Sequence, residues 1–165
     1  IKIRTPITFI IGIHEFETFI KNNKLLKPAI EEKDFAKVQK LFLDKKLSSE
    51  TLKKLELLLY IINKPIAVRS SGLYEDSLTQ PFAGIFETYL LPNNHPDKTE
   101  RLKQVCNAIK MVYASVYSNT AKGYVRAVNY KIEDEKMAVI IQEVVGNEFG
   151  KLYYPHISGV AQSYN

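Results

Sequence analysis

The stretch Ala67–Leu91, AVRSSGLYEDSLTQPFAGIFETYLL, decides how the rest of the chain is read. A short apolar run meets Arg69, gives way to a long segment containing Gly72 and Gly84, and resumes as a second apolar run from Ile85 to Leu91. The pattern predicts a strand over 66–69, a loop, and a second strand over 85–91. An arginine at the end of such a strand commonly meets a surface carboxylate. Here its neighbours point elsewhere. Gly72 and Gly84 allow backbone amides to approach a ligand closely, and Ser70, Ser71, Ser77 and Thr79 add hydroxyls. Guanidinium, amides and hydroxyls are the donors that phosphate oxygens take. The loop is longer than a turn needs, as functional loops often are. Its spacing matches neither a Walker lysine motif nor G-x-G-x-x-G, so the residues say anion, phosphate foremost, and nothing sharper. Glu75 and Asp76 would repel such a ligand and are expected to cap a turn or pair with a base.

Outward from this stretch, Pro6–Ile11 reads as a strand and Gly12–Leu26 as a helix with Ile13, Phe16, Phe19 and Ile20 on one side. A second helix is predicted over Glu32–Leu43, and a third from the N-cap Ser48 to a stop at Pro65. Residues 1–65 therefore read as a mainly helical packing portion without obvious chemistry. The longest helix should begin at Asp97, where Asp97 and Glu100 form a capping box, and should run to Ser118. A shorter helix follows over Thr120–Asn129. Met137–Val145, MAVIIQEVV, has the continuous apolar character of a strand buried on both faces. A last strand is expected to start near Ile157, close to where the sequence ends, so the chain is read as a piece of something larger. Helices and strands without regular alternation predict an α+β fold with a mixed or antiparallel sheet.

Composition narrows the function. The 165 residues are 45% hydrophobic and 25% charged, enough for one domain with a sizeable core. No apolar run is long enough to span a membrane, no leader is visible, and the single cysteine, Cys106, suits a reducing cytoplasm. The net charge of +5 is spread among acids, so the lysines read mostly as solvated helix faces and nucleic acid is not the expected partner. His14, His95 and His156 lack metal-ligand spacing, Ser70-Ser71 is no nucleophile elbow, and Cys106 lies on an apolar helix stripe. Acyl transfer and metal hydrolysis are not expected. Gln142 and Glu143 interrupt the most apolar strand, either to read a base edge or because the strand emerges there into solvent. By residue type Thr88 reads as packed.

Several motifs in order carry a resemblance. Val68-Arg69-Ser70-Ser71, Glu75-Asp76, Phe82-Ala83-Gly84 and Glu87-Thr88-Tyr89-Leu90 are similar to the nucleotide-binding domain of phosphoenolpyruvate synthase and pyruvate phosphate dikinase. Rifampin phosphotransferases and glucan water dikinases look similar here too. Ala138–Val145 resembles the family's hinge strand and Ser158-Gly159-Val160-Ala161 the strand after it, so the likeness covers 64–165, with a weaker extension to Pro6–Ile10. It implies an ATP-grasp-like lobe over 66–165, one part of an ATP-binding domain. By motif, Arg69 would contact ATP phosphates and serve catalysis, with Gly84 in a lid over the phosphates and Thr88 on the nucleotide. Gln142, Glu143 and Val144 would hold the adenine. The resemblance further implies Mg2+, with ligands outside this chain, and an ATP-contacting lysine before Ile1. It implies transfer of the β-phosphoryl group of ATP to a histidine on a swivelling domain of the same larger protein, and onward to pyruvate or a related acceptor. A nucleotide-sensing module that keeps the fold without phosphotransfer is the alternative.

Overall fold

The computed structural model describes residues 3–73, 75 and 84–163. Its centre is a four-stranded antiparallel sheet in the order β1-β4-β2-β3, made from β1 (Thr8–Ile11), β2 (Ile66–Gly72), β3 (Thr88–Leu91) and β4 (Met137–Glu143). Helices α1 (Ile13–Asn22) and α5 (Lys98–Ser115) pack on it directly. Behind them lie α3 (Phe35–Leu43) and α4 (Ser49–Ile61), with the short α2 (Leu26–Glu31) and α6 (Asn119–Ala127). The fold is α+β, with helices and sheet sharing one apolar core.

Local chemistry explains most boundaries. Ser48 caps α4 by accepting from the Thr51 amide at 3.1 Å, Asp34 caps α3 through Ala36, and Ser118 caps α6 through Ala121. Asp97 caps α5 by accepting from Thr99 at 2.8 Å. The second half of the expected capping box is missing, because the Asp97 amide donates to His95 Nδ1 at 3.1 Å while Glu100 pairs with Lys103. The first predicted helix is divided. Lys24 takes a left-handed φ of 54°, which ends α1 and restarts the chain as α2.

The run Met137–Glu143 is not covered on both sides. Its burial alternates, with Met137, Val139 and Ile141 fully buried and Ala138 and Ile140 only half-buried. An antiparallel sheet can leave one face uncovered, and this one does: Ile10 and Leu90 on that face are 70% and 71% exposed. The chain beyond Tyr154 forms no strand among the described residues, and Ile157 and Val160 stand exposed. In place of the expected last strand there is a hairpin, β5 (Asn147–Phe149) with β6 (Leu152–Tyr154). Gly150, at φ 64°, takes the first place of its two-residue turn, where the twist of a hairpin favours glycine. No helix of the described residues is long and apolar enough to cross a membrane.

Three buried cations depart from the picture of lysines as solvated faces. Arg101 of α5 donates from Nη2 to the carbonyls of Leu59 and Ile62 at 3.1 and 2.9 Å, and from Nε to Asn93 Oδ1 at 2.9 Å. Lys110 Nζ reaches the Leu43 carbonyl at 2.9 Å, and Lys122 Nζ reaches those of Ala29 and Glu32 at 2.7 and 2.8 Å. Each therefore closes the C-terminal end of a helix, α4, α3 and α2 in turn, where free carbonyls and the negative end of the dipole favour a cation. Burial lowers the pKa of Lys110 and Lys122, so part of that gain is offset by desolvation.

Tyr113 and Tyr117 give the core a pH dependence. Both rings are buried, and the Tyr113 hydroxyl has no hydrogen-bond partner among the described residues. Burial pushes both phenols well above their ordinary value, which is about 10. Above that pH the unfolded chain releases protons that the folded chain retains. The stability is complete below about pH 10 and is lost as pH climbs toward the folded values, by about 1.4 kcal/mol per pH unit for each tyrosine. The two buried lysines act in the opposite sense only up to about pH 10.4. Urea midpoints are expected to fall steeply between about pH 10.5 and 12, with Tyr113→Phe making the slope clearly shallower while Tyr117 and the buried Cys106 thiol keep part of it. A flat profile in that range would contradict the assignment.

Candidate functional site

Along β2 the side chains alternate, so that Ile66, Val68 and Ser70 face the helices while Ala67, Arg69 and Ser71 face the open side. The strand does not end at Arg69 but continues three residues to Gly72. Arg69 lies opposite Thr88 of β3 and Ile140 of β4, and Ala67 lies opposite Leu90 and Gln142. Thr8 faces Gln142 and Ile10 faces Ile140. Two rows therefore cross the open face, Thr8–Gln142–Ala67–Leu90 and Ile10–Ile140–Arg69–Thr88. Directly opposite residues have Cβ atoms about 5 Å apart, so one ligand group can touch both Arg69 and Thr88.

The Arg69 side chain is exposed and forms no ion pair among the described residues. Thr88 is exposed as well, against the reading from residue type, because Phe86 falls outside β3 and turns into the core alone. Gln142 is half-buried, and its Nε2 donates to Thr8 Oγ1 at 2.9 Å. Gly84 is exposed at φ 75°, a backbone conformation that side chains disfavour. Tyr74 and residues 76–83, including Ser77, Thr79, Pro81 and most of the expected lid, lie outside the described residues.

Ser70 and Gly72 serve the fold. The Ser70 hydroxyl donates to Glu75 Oε1 at 3.2 Å and the Gly72 amide to Glu75 Oε2 at 2.9 Å, so Glu75 caps the turn after β2 as its residue type suggests. The Leu73 amide is shared between Glu135 Oε1 at 2.7 Å and the Lys136 carbonyl at 2.9 Å. A Cβ on Gly72 would lie 2.8 Å from both Glu135 Oε1 and the Phe86 ring. Close packing explains that glycine without any ligand.

The end of β4 divides its residues. Glu143 faces away from Gln142 and pairs with Lys64 at 2.7 Å, which holds the Lys64 ammonium above its usual range. The Glu143 amide donates to the Ile7 carbonyl at 2.9 Å and the Val144 amide to that of Pro65 at 2.8 Å. Val144, Pro65 and Pro92 continue the open-face alternation past the strand ends and line a cleft of about 600 Å³ with Leu90. The β5–β6 hairpin supplies the opposite wall through Leu152 and Tyr153. Tyr153 Oη donates to the Val144 carbonyl at 3.3 Å, and a Cβ on Gly146 would lie 2.8 Å from the Tyr153 ring. The open face thus has a cation at one end and a walled, mostly apolar cleft at the other.

A larger hollow of about 760 Å³ lies beside α1, and it is lined by none of Arg69, Gly84, Thr88, Gln142, Glu143 and Val144. Its cations alternate with acids, and Lys136 and Glu17 neutralise each other at 2.7 Å. The remaining candidates are structural. His95 caps α5, His156 Nδ1 lies 3.2 Å from Asn147 Nδ2, and Cys106 is buried with its thiol pKa raised by burial. Among the described residues no group of three His, Cys, Asp or Glu side chains could hold a metal ion. The hairpin wall was not legible as a site element; the glycine-led turn Gly150-Lys151 between apolar pairs was the one signal for it.

Comparison with known proteins supplies the chemistry. The sequence model of the pyruvate phosphate dikinase AMP/ATP-binding domain matches residues 1–165. The chain belongs to that family. It is 31% identical over 96 residues to phosphoenolpyruvate synthase of Deinococcus radiodurans, covering 58% of this chain and 11% of that protein. Identity is also 31% over 98 residues to phosphoenolpyruvate synthase of Aeropyrum pernix, covering 59% of this chain and 11% of the relative. A further match, 31% over 91 residues, is to an uncharacterized phosphotransferase of Bacillus subtilis, covering 55% of this chain and 10% of the relative. The aligned part of each relative is thus about a tenth of its length. An AMP/ATP-binding family is consistent with an open face whose exposed cation lies beside a hydroxyl.

Proposed function

We propose that the open face binds ATP within a longer phosphoenolpyruvate synthase-like phosphotransferase of ATP-grasp type. In this reading a histidine nitrogen on another domain attacks the β-phosphorus of ATP. The bond between the β-phosphorus and the oxygen bridging to the α-phosphate breaks, and AMP leaves. The histidine now carries both outer phosphoryl groups, and the terminal one passes to water, giving phosphate, or to inorganic phosphate as co-substrate, giving pyrophosphate. The histidine then passes its phosphoryl group to pyruvate or a related acceptor. Such transfers need positioning and charge neutralisation more than proton transfer. Arg69 supplies the fixed charge, Thr88 a hydroxyl beside it, and Gly84 an amide; Gln142, Glu143 and Val144 form the hinge that holds the base, Glu143 through its backbone because its side chain faces away to Lys64. Magnesium would carry further phosphate charge, with ligands expected outside this chain; among the described residues Arg69 is the cation placed on the open face beside Thr88.

The observation that carries the reading is the placement of Arg69: exposed, without an ion pair among the described residues, and opposite Thr88 on an uncovered sheet face. Hydrogen exchange of the full-length protein tests it. Added ATP is expected to slow exchange in β2, β3 and residues 140–144. Slowing confined to α1 and the hollow beside it would overturn the reading.

A further inference from the structure

We infer that the β5–β6 hairpin is the base-side wall of the nucleotide site and that Tyr153 sets its affinity for the nucleoside part. The inference rests on the ATP-binding reading above and adds an orientation to it. Val144, one residue past the end of β4, lies four residues along the extended chain from Ile140, which places the walled cleft about 13 Å from the row containing Arg69. That separation is of the order of the reach from a nucleobase to the outer phosphates of an extended nucleotide. The chemistry of the two ends differs in the same sense. Around Arg69 the open face offers a guanidinium and a hydroxyl, which suit anionic oxygens. The cleft offers Pro65, Leu90, Pro92, Val144, Leu152 and the Tyr153 ring to the faces of a flat heteroaromatic ring, and Asn63, Lys64, Asn94, Glu148 and Lys151 supply the polar part of its lining.

The wall is built into the fold. Tyr153 is tied to the chain just after β4 through the Val144 carbonyl at 3.3 Å, and Gly146 leaves room for its ring where a Cβ would lie 2.8 Å away. Register fixes the rest of the hairpin, with Tyr153 opposite Glu148, and Phe149 and Tyr154 stacked at 4.4 Å between ring centroids. The Tyr153 ring therefore stands at a set place beside the end of the open face.

The test uses the full-length protein with two probes, ATP and inorganic tripolyphosphate as a competitor that has phosphates and no base. Tyr153→Ala is expected to raise KM for ATP about tenfold, with the effect on KM rather than kcat, and to leave the inhibition constant of tripolyphosphate within twofold. Tyr153→Phe, which keeps the ring, should recover most of the loss. Arg69→Ala should weaken both probes. Where Tyr153→Ala melts early, Leu90→Asp replaces it: this exposed position lines the same cleft, and the same selective loss of ATP is expected. Wild-type KM for ATP in the Tyr153 and Leu90 variants, beside a damaged Arg69→Ala enzyme, would sink the hairpin inference and leave ATP binding standing. Wild-type behaviour of Arg69→Ala toward both probes would remove the underlying reading as well.

Discussion

Arg69→Ala is expected to cut ATP-dependent AMP formation by the full-length protein about 10²- to 10³-fold, the scale seen when one preorganised donor to developing charge is removed. The fold should not notice. Arg69 is exposed, pairs with no carboxylate among the described residues, and its backbone hydrogen bonds in β2 do not depend on the side chain. Surface substitutions of this kind change stability by about 0.5 kcal/mol or less, so the urea midpoint should stay in place. Arg69→Lys keeps the charge but not the planar fork, and is expected to recover only part of the activity. AMP formation at the wild-type rate in the alanine variant would exclude Arg69 from the mechanism.

Arg101→Ala should do the reverse. The guanidinium is 8% exposed and makes three charged hydrogen bonds, two to helix-end carbonyls and one to Asn93. Hydrogen bonds to charged groups contribute about 1.5–3 kcal/mol each, and truncation would leave the Leu59 carbonyl and Asn93 Oδ1 without this donor in a buried place. The Ile62 carbonyl retains only the Asn93 amide at 3.0 Å. A loss of about 3–5 kcal/mol is expected, a large share of the total stability of an ordinary domain. Urea denaturation measures it directly. A shift below about 1 kcal/mol would mean that the clamp adds little, and Arg101→Lys, which can satisfy fewer of the acceptors, should recover less than half. The two arginines thus separate cleanly: one is expected to be silent in denaturation and decisive in turnover, the other the converse.

The sequence made the helices legible where a cap and a periodic stripe coincide, as at Ser48 with Leu55 and Leu59, or Asp97 with Val105 and Ile109. It made Arg69 and Thr88 legible as a pair only through motif order, since residue type alone put Thr88 in the core. Register explains the difference: Thr88 is outward because it lies opposite Arg69, and pairing between strands some twenty residues apart has no local signature. The apolar run of β4 misled for a related reason. Ala138 and Ile140 are apolar although no described helix covers them, which suits a face that receives a ligand or further chain as well as it suits burial. Lys110 and Lys122 fall under the general reading of lysines as solvated faces because a cation that caps a distant helix looks, in sequence, like any other on a mixed surface. The hairpin after β4 escaped because its strands have only three residues each, too few for alternation to register.

The reach of those buried cations bears on the order of events at the ribosome. The ends of α2, α3 and α4 are completed by side chains that lie between 39 and 93 positions further along the chain. During synthesis the first three helices after α1 can form turns, but their final carbonyls stay open to water until Arg101, Lys110 and Lys122 have left the exit tunnel. The segment from α2 to α4 consequently lacks these closing contacts until α5 and α6 have been made, and those two helices arrive as the parts that lock it.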